Sequence, residues 1–474
     1  MERVLLAPLF EGSRHTMARR FPTLASLWLA LATCGAGCGH DYMIGDGDGG
    51  GGGPLRDGGT GPSDASEGPV DARATDALVL ERTDAALPSD EPDVPVDARP
   101  SDDPAASAWG DPPVFGPGDA CCTSATAVDL TTSDADLHDG GPVLSAFDGR
   151  EWDVAWLVSA PSPTDWTARF RRLDQDAHPT IDTRVIPGMA FFAMAWGDHE
   201  LAMAGALVTQ PASASQIGAP IVAFADRDGA IHGVQQLRTG VVVDDLTRHP
   251  AIHGWAASAI DLSASPEHAL LVTIADGAPV REIDLGRTDP WYGSTTIVSV
   301  GSRLVVAEIQ RTTNTLETFA NAGLARTTRR LDFGSDLAVA RFRDTVVLFL
   351  LGGTFEGTLQ TLVYDPFEDR IVTGPTPTFG IDPETTYRAA GDDLGGTIGL
   401  CYAEGGTIRF ALFGHDGVPL GTSLELGHGY DASSAAPLPS CTIASAARDE
   451  YVVAWYGGSF TYGPIHATTV RVRR

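Results

Sequence analysis

The sequence lacks lysine. All 32 basic residues of the 474-residue chain are arginine, against 62 acidic residues, which gives a formal net charge of −30. A surface this acidic repels the phosphates of nucleic acids, so DNA- and RNA-binding functions are disfavoured, and we predict no nucleic-acid partner. The sequence also lacks a long apolar run. The run at residues 21–32 has twelve residues and is too short to cross about 30 Å of hydrocarbon as a helix. We therefore predict no transmembrane helix.

Familiar catalytic motifs are missing as well. The sequence contains no HExxH, GxSxG or P-loop pattern, and its serine, histidine and aspartate residues are too scattered to define a triad. One nucleotide-binding pattern, GxGxxG, matches at residues 45–50, but no strand precedes it and no helix follows, so the match reflects composition. We assign no catalytic residue, no metal ligand and no cofactor from the sequence.

The N-terminal segment has the layout of an export signal. A basic head at residues 17–20 precedes the apolar run at 21–32, and small residues follow around two cysteines. Residues 1–38 are therefore predicted to be a signal peptide, with Met17 as an alternative start.

The end of this segment resembles a bacterial lipoprotein signal, in which a lipidated cysteine becomes the first residue of the mature protein. Leu31 and Ala32 precede Cys34, and residues 36–37 precede Cys38 with the small side chains of that pattern. The resemblance implies that one of the two, Cys34 or Cys38, carries the lipid. It also implies sorting to the outer membrane or surface of a Gram-negative bacterium. Ordinary secretion and twin-arginine export are the alternatives.

Residues 39–115 have the composition of a spacer. Between residues 41 and 115 there are 17 acidic residues and 4 arginines, and glycine, proline, alanine and serine fill most other positions. Such a segment cannot bury enough apolar surface to offset the entropy of ordering, so we predict a disordered, acidic linker. Short sequences recur 26 residues apart within it, at 62–64 and 88–90 and at 70–73 and 96–99, which suits a spacer of adjustable length.

Residues 116–474 form one predicted domain with many short strands. β-Branched and aromatic runs alternate there with glycine, aspartate and proline clusters, which is typical of all-β folds. Seven of these runs resemble one another and are apolar on both faces, as strands between two neighbouring sheets should be. The second residues of the seven runs are Trp152, Leu201, Ala269, Leu304, Thr345, Ile398 and Tyr451.

The spacing of the seven runs predicts a seven-bladed β-propeller. Their separations average close to 50 residues, and propeller blades commonly run about 40–50 residues. The body resembles the loosely repetitive propeller domains of bacterial surface lipoproteins, although WD40 and kelch signatures do not recur. A pair of β-sandwiches or another repetitive all-β fold is the alternative, and residues 316–330 could instead form a short helix.

The seventh unit is too short to complete its own blade. Only 23 residues follow Tyr451, enough for one further strand at 464–472. A closed ring needs that edge paired. We therefore predict that residues 125–132 donate the missing strand.

Three segments resemble functional motifs. Asp226–Gly229 looks like part of a calcium loop, but similar turns recur at 174–176, 321–323 and 415–417, which favours hairpin turns. Residues 145–152 nearly match a sialidase Asp-box, and we interpret them as a hairpin before a buried Trp152. His249 and His253, downstream of Asp244 and Asp245, have helical spacing, but Pro250 favours a loop between blades.

The remaining cysteines are even in number. Cys121, Cys122, Cys401 and Cys441 follow the anchor region, and exported proteins use such cysteines in disulfides. Neighbouring blades could place Cys401 beside Cys441, so we predict a bond between these two. Cys121 and Cys122 are then either paired with each other or reactive elsewhere, and four cysteines allow three connectivities.

These observations predict a cell-envelope lipoprotein whose propeller is a binding or scaffolding module. Its partners would be the membrane, through the N-terminal lipid, and an unidentified protein or glycan. The alternative is an extracellular glycan-active hydrolase with carboxylates about 5–10 Å apart at the mouth of the central channel. A structural envelope component without a ligand is a third possibility, and fold alone cannot decide among them.

Overall fold

A computed structural model describes residues 98–474 except 117, 132–137, 160–165, 208–218, 276–277, 288–294, 310–313, 321–324, 332–336, 353–357, 382–386, 430–440, 447 and 458–463. The predicted signal peptide, both candidate lipid-anchor cysteines and most of the predicted linker lie outside the described residues. Within the described part of the chain, no helix is long and apolar enough to cross a membrane.

The described residues contain three short 3₁₀ helices and 29 strands. The helices are Pro100–Asp102, Pro104–Ala108 and Pro250–Ile252. The strands are β1 (Cys122–Ser124), β2 (Val128–Asp129), β3 (His138–Phe147), β4 (Trp152–Ser159), β5 (Trp166–Leu173), β6 (Arg184–Pro187), β7 (Met189–Trp196), β8 (Leu201–Leu207), β9 (Pro220–Ala225), β10 (Ile231–Gln236), β11 (Val241–His249), β12 (Gly254–Asp261), β13 (His268–Ala275), β14 (Arg281–Arg287), β15 (Thr295–Val300), β16 (Arg303–Ile309), β17 (Asn314–Ala320), β18 (Ala325–Leu331), β19 (Leu337–Phe342), β20 (Thr345–Gly352), β21 (Thr358–Asp365), β22 (Arg370–Gly380), β23 (Arg388–Asp392), β24 (Thr397–Glu404), β25 (Thr407–Phe413), β26 (Leu424–His428), β27 (Cys441–Ser445), β28 (Glu450–Tyr456) and β29 (Ile465–Val472).

The strands form a seven-bladed β-propeller, as predicted. Each of blades 1 to 6 is an antiparallel sheet of four consecutive strands, beginning with β3–β6 as blade 1 and ending with β23–β26 as blade 6. Blade 7 consists of β27, β28 and β29, completed by β1 and β2 from the N-terminal side. The first strands of successive blades contact one another around the ring, and they therefore line a central channel.

The meander gives the molecule two different faces. In every blade, the connection between the first and second strands lies on the same side of the ring, which we call the turn face. These first connections are two to four residues long. The opposite side, which we call the loop face, holds the connections between second and third strands and between blades. Two of the loop-face connections, 208–219 and 429–440, are twelve residues long.

The hydrophobic core lies between the blades rather than within them. The buried residues form seven clusters, and each cluster joins two neighbouring blades. All eight residues of β12 are buried, as expected for a strand whose two faces both contact a neighbouring sheet. The repeated runs are therefore apolar on both faces because each lies between two neighbouring blades, as predicted.

Six of the seven repeated runs are the second strands of their blades, and one was assigned wrongly. Ala269 lies in β13, the third strand of blade 3, whereas the second strand is β12 with Trp255 as its second residue. With Trp255 in place of Ala269, the irregular separations of 68 and 35 residues become 54 and 49. The alanine-rich sequence of β12 was less apolar than that of β13, which explains the error.

The prediction that an N-terminal segment closes the ring is confirmed. Strand β1 pairs antiparallel with the end of β29, with Cys122 opposite Val472, and β2 pairs with its beginning. The closing segment starts at Cys122, a few residues before the predicted 125–132. Residues 316–330, the alternative helix, are instead part of β17 and β18 with the connection between them.

Candidate functional site

A carboxylate pair lies in the central channel. Asp244 and Asp245 are consecutive residues of β11, yet both side chains reach the first strand of the next blade, β15. In a regular strand, consecutive side chains point to opposite faces. The register between β11 and β12 shifts between Val243 and Asp245, and this bulge allows both carboxylates to point the same way.

Each carboxylate is held by two groups of β15. Oδ2 of Asp244 accepts hydrogen bonds from the backbone N–H of Thr295 at 3.1 Å and from its hydroxyl at 2.8 Å. Oδ2 of Asp245 accepts hydrogen bonds from the hydroxyl of Thr296 at 2.6 Å and from the N–H of Ile297 at 3.1 Å. The first strand of a blade has an unpaired edge toward the channel, so the two carboxylates connect blade 3 to blade 4 there.

Burial controls the charge of this pair. It raises the pKa of Asp244 from 3.8 to about 7 and also raises that of Asp245, while the hydrogen bonds from β15 oppose the rise. Arg388, which begins β23 in blade 6 on the far side of the ring, lowers the pKa of both carboxyls electrostatically. At neutral pH, Asp244 therefore titrates beside a second carboxyl group and opposite a fixed cation.

The pair differs in arrangement from the carboxyl pair of a glycosidase. A glycosidase needs two carboxyl groups on either side of the bond that breaks. Asp244 and Asp245 are adjacent in sequence and bind the same strand, so they do not flank a substrate bond. They offer hydrogen-bond acceptors, and Arg388, whose side chain is exposed, offers a cation at the same mouth of the channel.

A serine–histidine contact occurs nearer the turn face. Nδ1 of His249 lies 2.8 Å from Oγ of Ser299, and burial, with a smaller effect of Arg248, lowers the pKa of His249 to about 4. A catalytic triad needs a carboxylate that orients the histidine and stabilises its charged form. The groups that set the pKa of His249 include no carboxylate, so the pair does not support nucleophilic catalysis.

The predicted position of the two histidines was wrong in one respect. Pro250–Ile252 is a 3₁₀ helix and His253 has a left-handed backbone conformation with φ of 47°. The segment joins β11 to β12, so it is the first connection inside blade 3 and not a loop between blades. The proline does interrupt the helical spacing, as expected.

The Asp-box-like segment is a hairpin, as interpreted. Oδ1 of Asp148 accepts the N–H groups of Arg150 and Glu151, each at 2.7 Å, between β3 and β4. Trp152 follows and is fully buried against Phe147. Its position is a first connection of a blade, on the turn face.

An ion-pair network surrounds this hairpin. Asp153 is fully buried and accepts hydrogen bonds from Arg172 at 3.0 and 3.2 Å and another from the indole N–H of Trp196. Arg172 also lies 3.6 Å from Asp148 and 3.5 Å from Glu151. Burial raises the pKa of Asp153 to about 6 against the effect of these partners. The network joins blades 1 and 2 and is structural in character.

The calcium-like segment is a turn, as predicted. Asp226 accepts the N–H groups of Asp228 and Ala230, both at 2.9 Å, between β9 and β10. Gly229 has a positive φ of 72°, which explains the glycine. The turns at 174–176 and 415–417 occupy the same place in their blades, and 321–323 lies outside the described residues. Within the described part of the chain, no group of three or more metal-ligating side chains occurs.

Residues 98–115, predicted as the end of the linker, lie on the turn face. Ser302 in blade 4 donates to the carbonyl of Ala98 at 3.0 Å, and Gly110 donates to the carbonyl of Leu394 in blade 6 at 3.0 Å. Between them, Ser101 donates to Asp344 of blade 5 at 2.8 Å. The chain thus crosses three consecutive blades, and the part attached to the propeller begins before residue 116.

Arginine and aromatic side chains attach this segment. The guanidinium of Arg99 lies 4.7 Å from the ring centre of Phe367 and 3.8 Å from Asp365. The guanidinium of Arg343 lies 5.2 Å from the ring of Trp109. A composition-based disorder prediction could not find these contacts, because Arg99 and Trp109 stand alone among acidic and small residues.

A cavity of about 350 Å³ lies at the rim between blades 5 and 6. Its rings Phe379 and Tyr402 are 5.1 Å apart, and its carboxylate, Glu404, pairs with Arg409 at 2.8 Å. The lining residues are Phe379, Gly380, Ile381, Tyr402, Glu404, Ala411, Leu412, Pro419, Gly421 and Ser423. This cavity is separate from the channel, and its lining combines aromatic and aliphatic side chains with the polar groups of Tyr402, Glu404 and Ser423.

The predicted disulfide between Cys401 and Cys441 is present, with a Cα–Cα distance of 6.2 Å. It joins β24 of blade 6 to β27 of blade 7, the arrangement expected from neighbouring blades. The channel role of Asp244 and Asp245 was missed. The available signal was two consecutive acids between three valines and a leucine.

Comparison with known proteins shows only distant similarity. No protein-family model and no curated protein matches the chain. Acylaminoacyl peptidase of Pyrococcus horikoshii aligns over 67% of this chain at 8% identity with a TM-score of 0.42, and this chain spans 49% of its length. The β-propeller domain of the Trilobed protease from Pyrococcus furiosus aligns over 73% of this chain and 95% of its own at 9% identity, with a TM-score of 0.41.

A protein of unknown function from Dyadobacter fermentans is similar over 75% of this chain and 100% of its own, at 12% identity and a TM-score of 0.42. The chain thus spans about half the length of the peptidase that it matches. Similarities this low say nothing about activity.

Proposed function

We propose that this chain is an exported, lipid-anchored envelope protein whose propeller binds a protein or glycan ligand at its loop face. The observation that carries the proposal is the position of residues 98–115 on the turn face, where the chain itself occupies the short connections of blades 4, 5 and 6. The loop face has the two longest connections, each of twelve residues, and long connections commonly carry binding residues.

The channel mouth supplies the polar groups for this role. Arg388 is exposed at the start of β23, and Asp244 and Asp245 remain partly accessible in the channel. A cation and two acceptors in one mouth suit a polar ligand such as a glycan or an acidic or amide-rich peptide. Both carboxylates are on β11 and are held by donors of β15, an arrangement that favours binding without bond cleavage.

A capture experiment tests the binding role. The full chain, purified from membranes in detergent, is applied to a glycan array and to solubilised envelope proteins, and release of reducing sugar ends is followed in the same samples. We expect retention of a defined ligand without hydrolysis. Hydrolysis of a glycan without stable retention would replace the binding role with the hydrolase alternative.

The lipid anchor is tested by labelling. In a Gram-negative host fed a clickable fatty acid, the chain should become labelled and fractionate with the outer membrane. One of the variants Cys34→Ala and Cys38→Ala should lose the label, and the other serves as its matched control. Labelling that persists in the double variant, or a soluble wild-type chain, would contradict a lipid anchor at these residues.

A further inference from the structure

Cys121 and Cys122 lie where the closing strand of the ring begins. Their relative exposures are 0% and 1%, and their Sγ atoms are 2.6 Å apart. We propose that these two consecutive cysteines form a vicinal disulfide in the exported protein, as a second bond beside Cys401–Cys441. The site is thus an oxidative modification site, and its reaction partner is a protein disulfide of the oxidising compartment.

The other two cysteines of the surrounding cluster, Cys401 and Cys441, are bonded to each other, which leaves Cys121 and Cys122 as partners. Cys121 and Cys122 belong to the apolar cluster between blades 6 and 7, together with Phe410, Trp455 and Val470. Non-bonded heavy atoms in a packed interior stay about 3.5–4.0 Å apart. The distance of 2.6 Å between the two Sγ atoms is shorter than such a contact. Burial also separates them from soluble thiols, so mutual pairing is favoured over reaction elsewhere.

The backbone holds the pair in place from both sides. The carbonyl of Cys121 accepts the N–H of Arg473 at 2.9 Å, and Cys122 is the β-sheet partner of Val472. The two cysteines are therefore fixed by the C-terminal strand of the chain. A bond between them would fix the turn into β1 at the point where the ring closes.

The two thiols are not equivalent. A hydrogen bond from Cys122 lowers the pKa of Cys121, and the charge of Arg473 acts in the same direction. The same hydrogen bond and burial raise the pKa of Cys122. In the closed ring, the thiol of Cys121 is therefore the more acidic of the two.

The oxidation balances with a donor disulfide. The thiolate of one cysteine attacks one donor sulfur, forms a mixed disulfide and releases one donor thiolate. The thiolate of the other cysteine then attacks the Sγ of the first and releases the second donor sulfur as a thiol. The cysteine pair loses two protons and two electrons, and the donor disulfide becomes a dithiol. Because both sulfurs are buried in the closed ring, the exchange takes place before β1 pairs with β29.

Peptide mapping tests the proposal on the full chain. Protein exported to an oxidising compartment is purified without reductant and unfolded in guanidinium with iodoacetamide. It is then digested at arginine, and peptides are compared before and after reduction. We expect the peptide with Cys121 and Cys122 to be unalkylated, two hydrogen masses lighter than its dithiol form, and doubly alkylated after reduction. Cys401–Cys441 is the internal control.

Alkylation of both Cys121 and Cys122 while Cys401–Cys441 is intact would overturn the proposal, as would a link from either one to Cys401 or Cys441. If both pairs are reduced, the protein is reoxidised with oxidised glutathione and mapped again. A pair at 121–122 that stays reduced once Cys401–Cys441 has re-formed then counts against the proposal.

A variant with a thermal readout separates the two bonds. The bond between Cys401 and Cys441 spans 40 residues, whereas a vicinal bond closes a very short loop and constrains the unfolded chain less. We therefore compare two double variants. The one that removes the longer bond, Cys401→Ser/Cys441→Ser, should lower the melting temperature more than the one that removes the vicinal bond, Cys121→Ser/Cys122→Ser. In the single variant Cys122→Ser, Cys121 has no partner and should react with a thiol reagent after unfolding. In the unfolded wild type, Cys121 should not react. Equal reaction of Cys121 in the variant and in the wild type would contradict the bond.

Discussion

At the scale of single residues, Asp244 shows how burial sets the charge state in the channel. Its pKa rises from 3.8 to about 7 because protein atoms surround the carboxyl. Between about pH 4 and 7 the folded chain therefore binds a proton at Asp244 that the unfolded chain releases. The stability attributable to this group is present at low pH and is lost as the pH rises toward 7.

We predict that Asp244→Asn stabilises the protein at pH 8 and has little effect at pH 5. Asparagine keeps an acceptor for Thr295 and removes the cost of a buried charge, so the free energy of unfolding at pH 8 should rise by about 1–2 kcal/mol. Thermal unfolding at the two pH values measures the difference.

The matched control for this change is Asp228→Asn, which removes one negative charge from an exposed turn position. It should shift the melting temperature little at either pH. A destabilised Asp244→Asn at pH 8 would mean that the ionised carboxylate is needed in the channel, for example to bind a cation.

Residue-level predictions succeeded where local chemistry decides. The turn at Asp226–Gly229 follows from side-chain acceptors and a positive φ, and Cys401–Cys441 follows from the blade repeat. The channel position of Asp244 and Asp245 depends on a bulge in β11 and on the neighbouring blade, which local pattern does not reveal.

At the scale of elements, ring closure depends on a segment far from blade 7 in sequence. Leu130 is fully buried, and its N–H donates to the carbonyl of Ile465 at 2.8 Å next to the β2–β29 pairing. Without this segment, β29 would expose an unpaired edge, which favours aggregation.

We predict that removal of residues 1–131 destabilises the protein far more than removal of residues 1–97. Both chains are exported behind the same unrelated signal peptide. The longer deletion should lower the melting temperature by roughly 10 °C or more, or cause aggregation. The shorter deletion keeps all described residues and should melt near wild type. Equal melting temperatures would contradict closure by β1 and β2.

Element prediction depended on apolarity, and it failed where apolarity was weak. Six second strands were located from their apolar runs, but β12 is rich in alanine and was missed in favour of β13. Residues 98–115 were missed for a related reason, since their attachment rests on Arg99, Trp109 and backbone hydrogen bonds.

At the scale of the whole molecule, two different faces support a binding role. The first connection of every blade on the turn face is short, and residues 98–115 lie across three of its blades. The loop face has connections up to twelve residues long and the channel mouth with Arg388, Asp244 and Asp245.

The most direct measurement compares two exposed arginines on opposite faces. Arg388 lies at the channel mouth, and Arg150 lies in the first turn of blade 1 on the turn face. For the ligand captured by the full chain, Arg388→Ala should weaken binding about tenfold, the loss of roughly 1.4 kcal/mol, while Arg150→Ala should leave it unchanged. Equal binding by Arg388→Ala and wild type, with weakening by Arg150→Ala, would contradict recognition at the loop face.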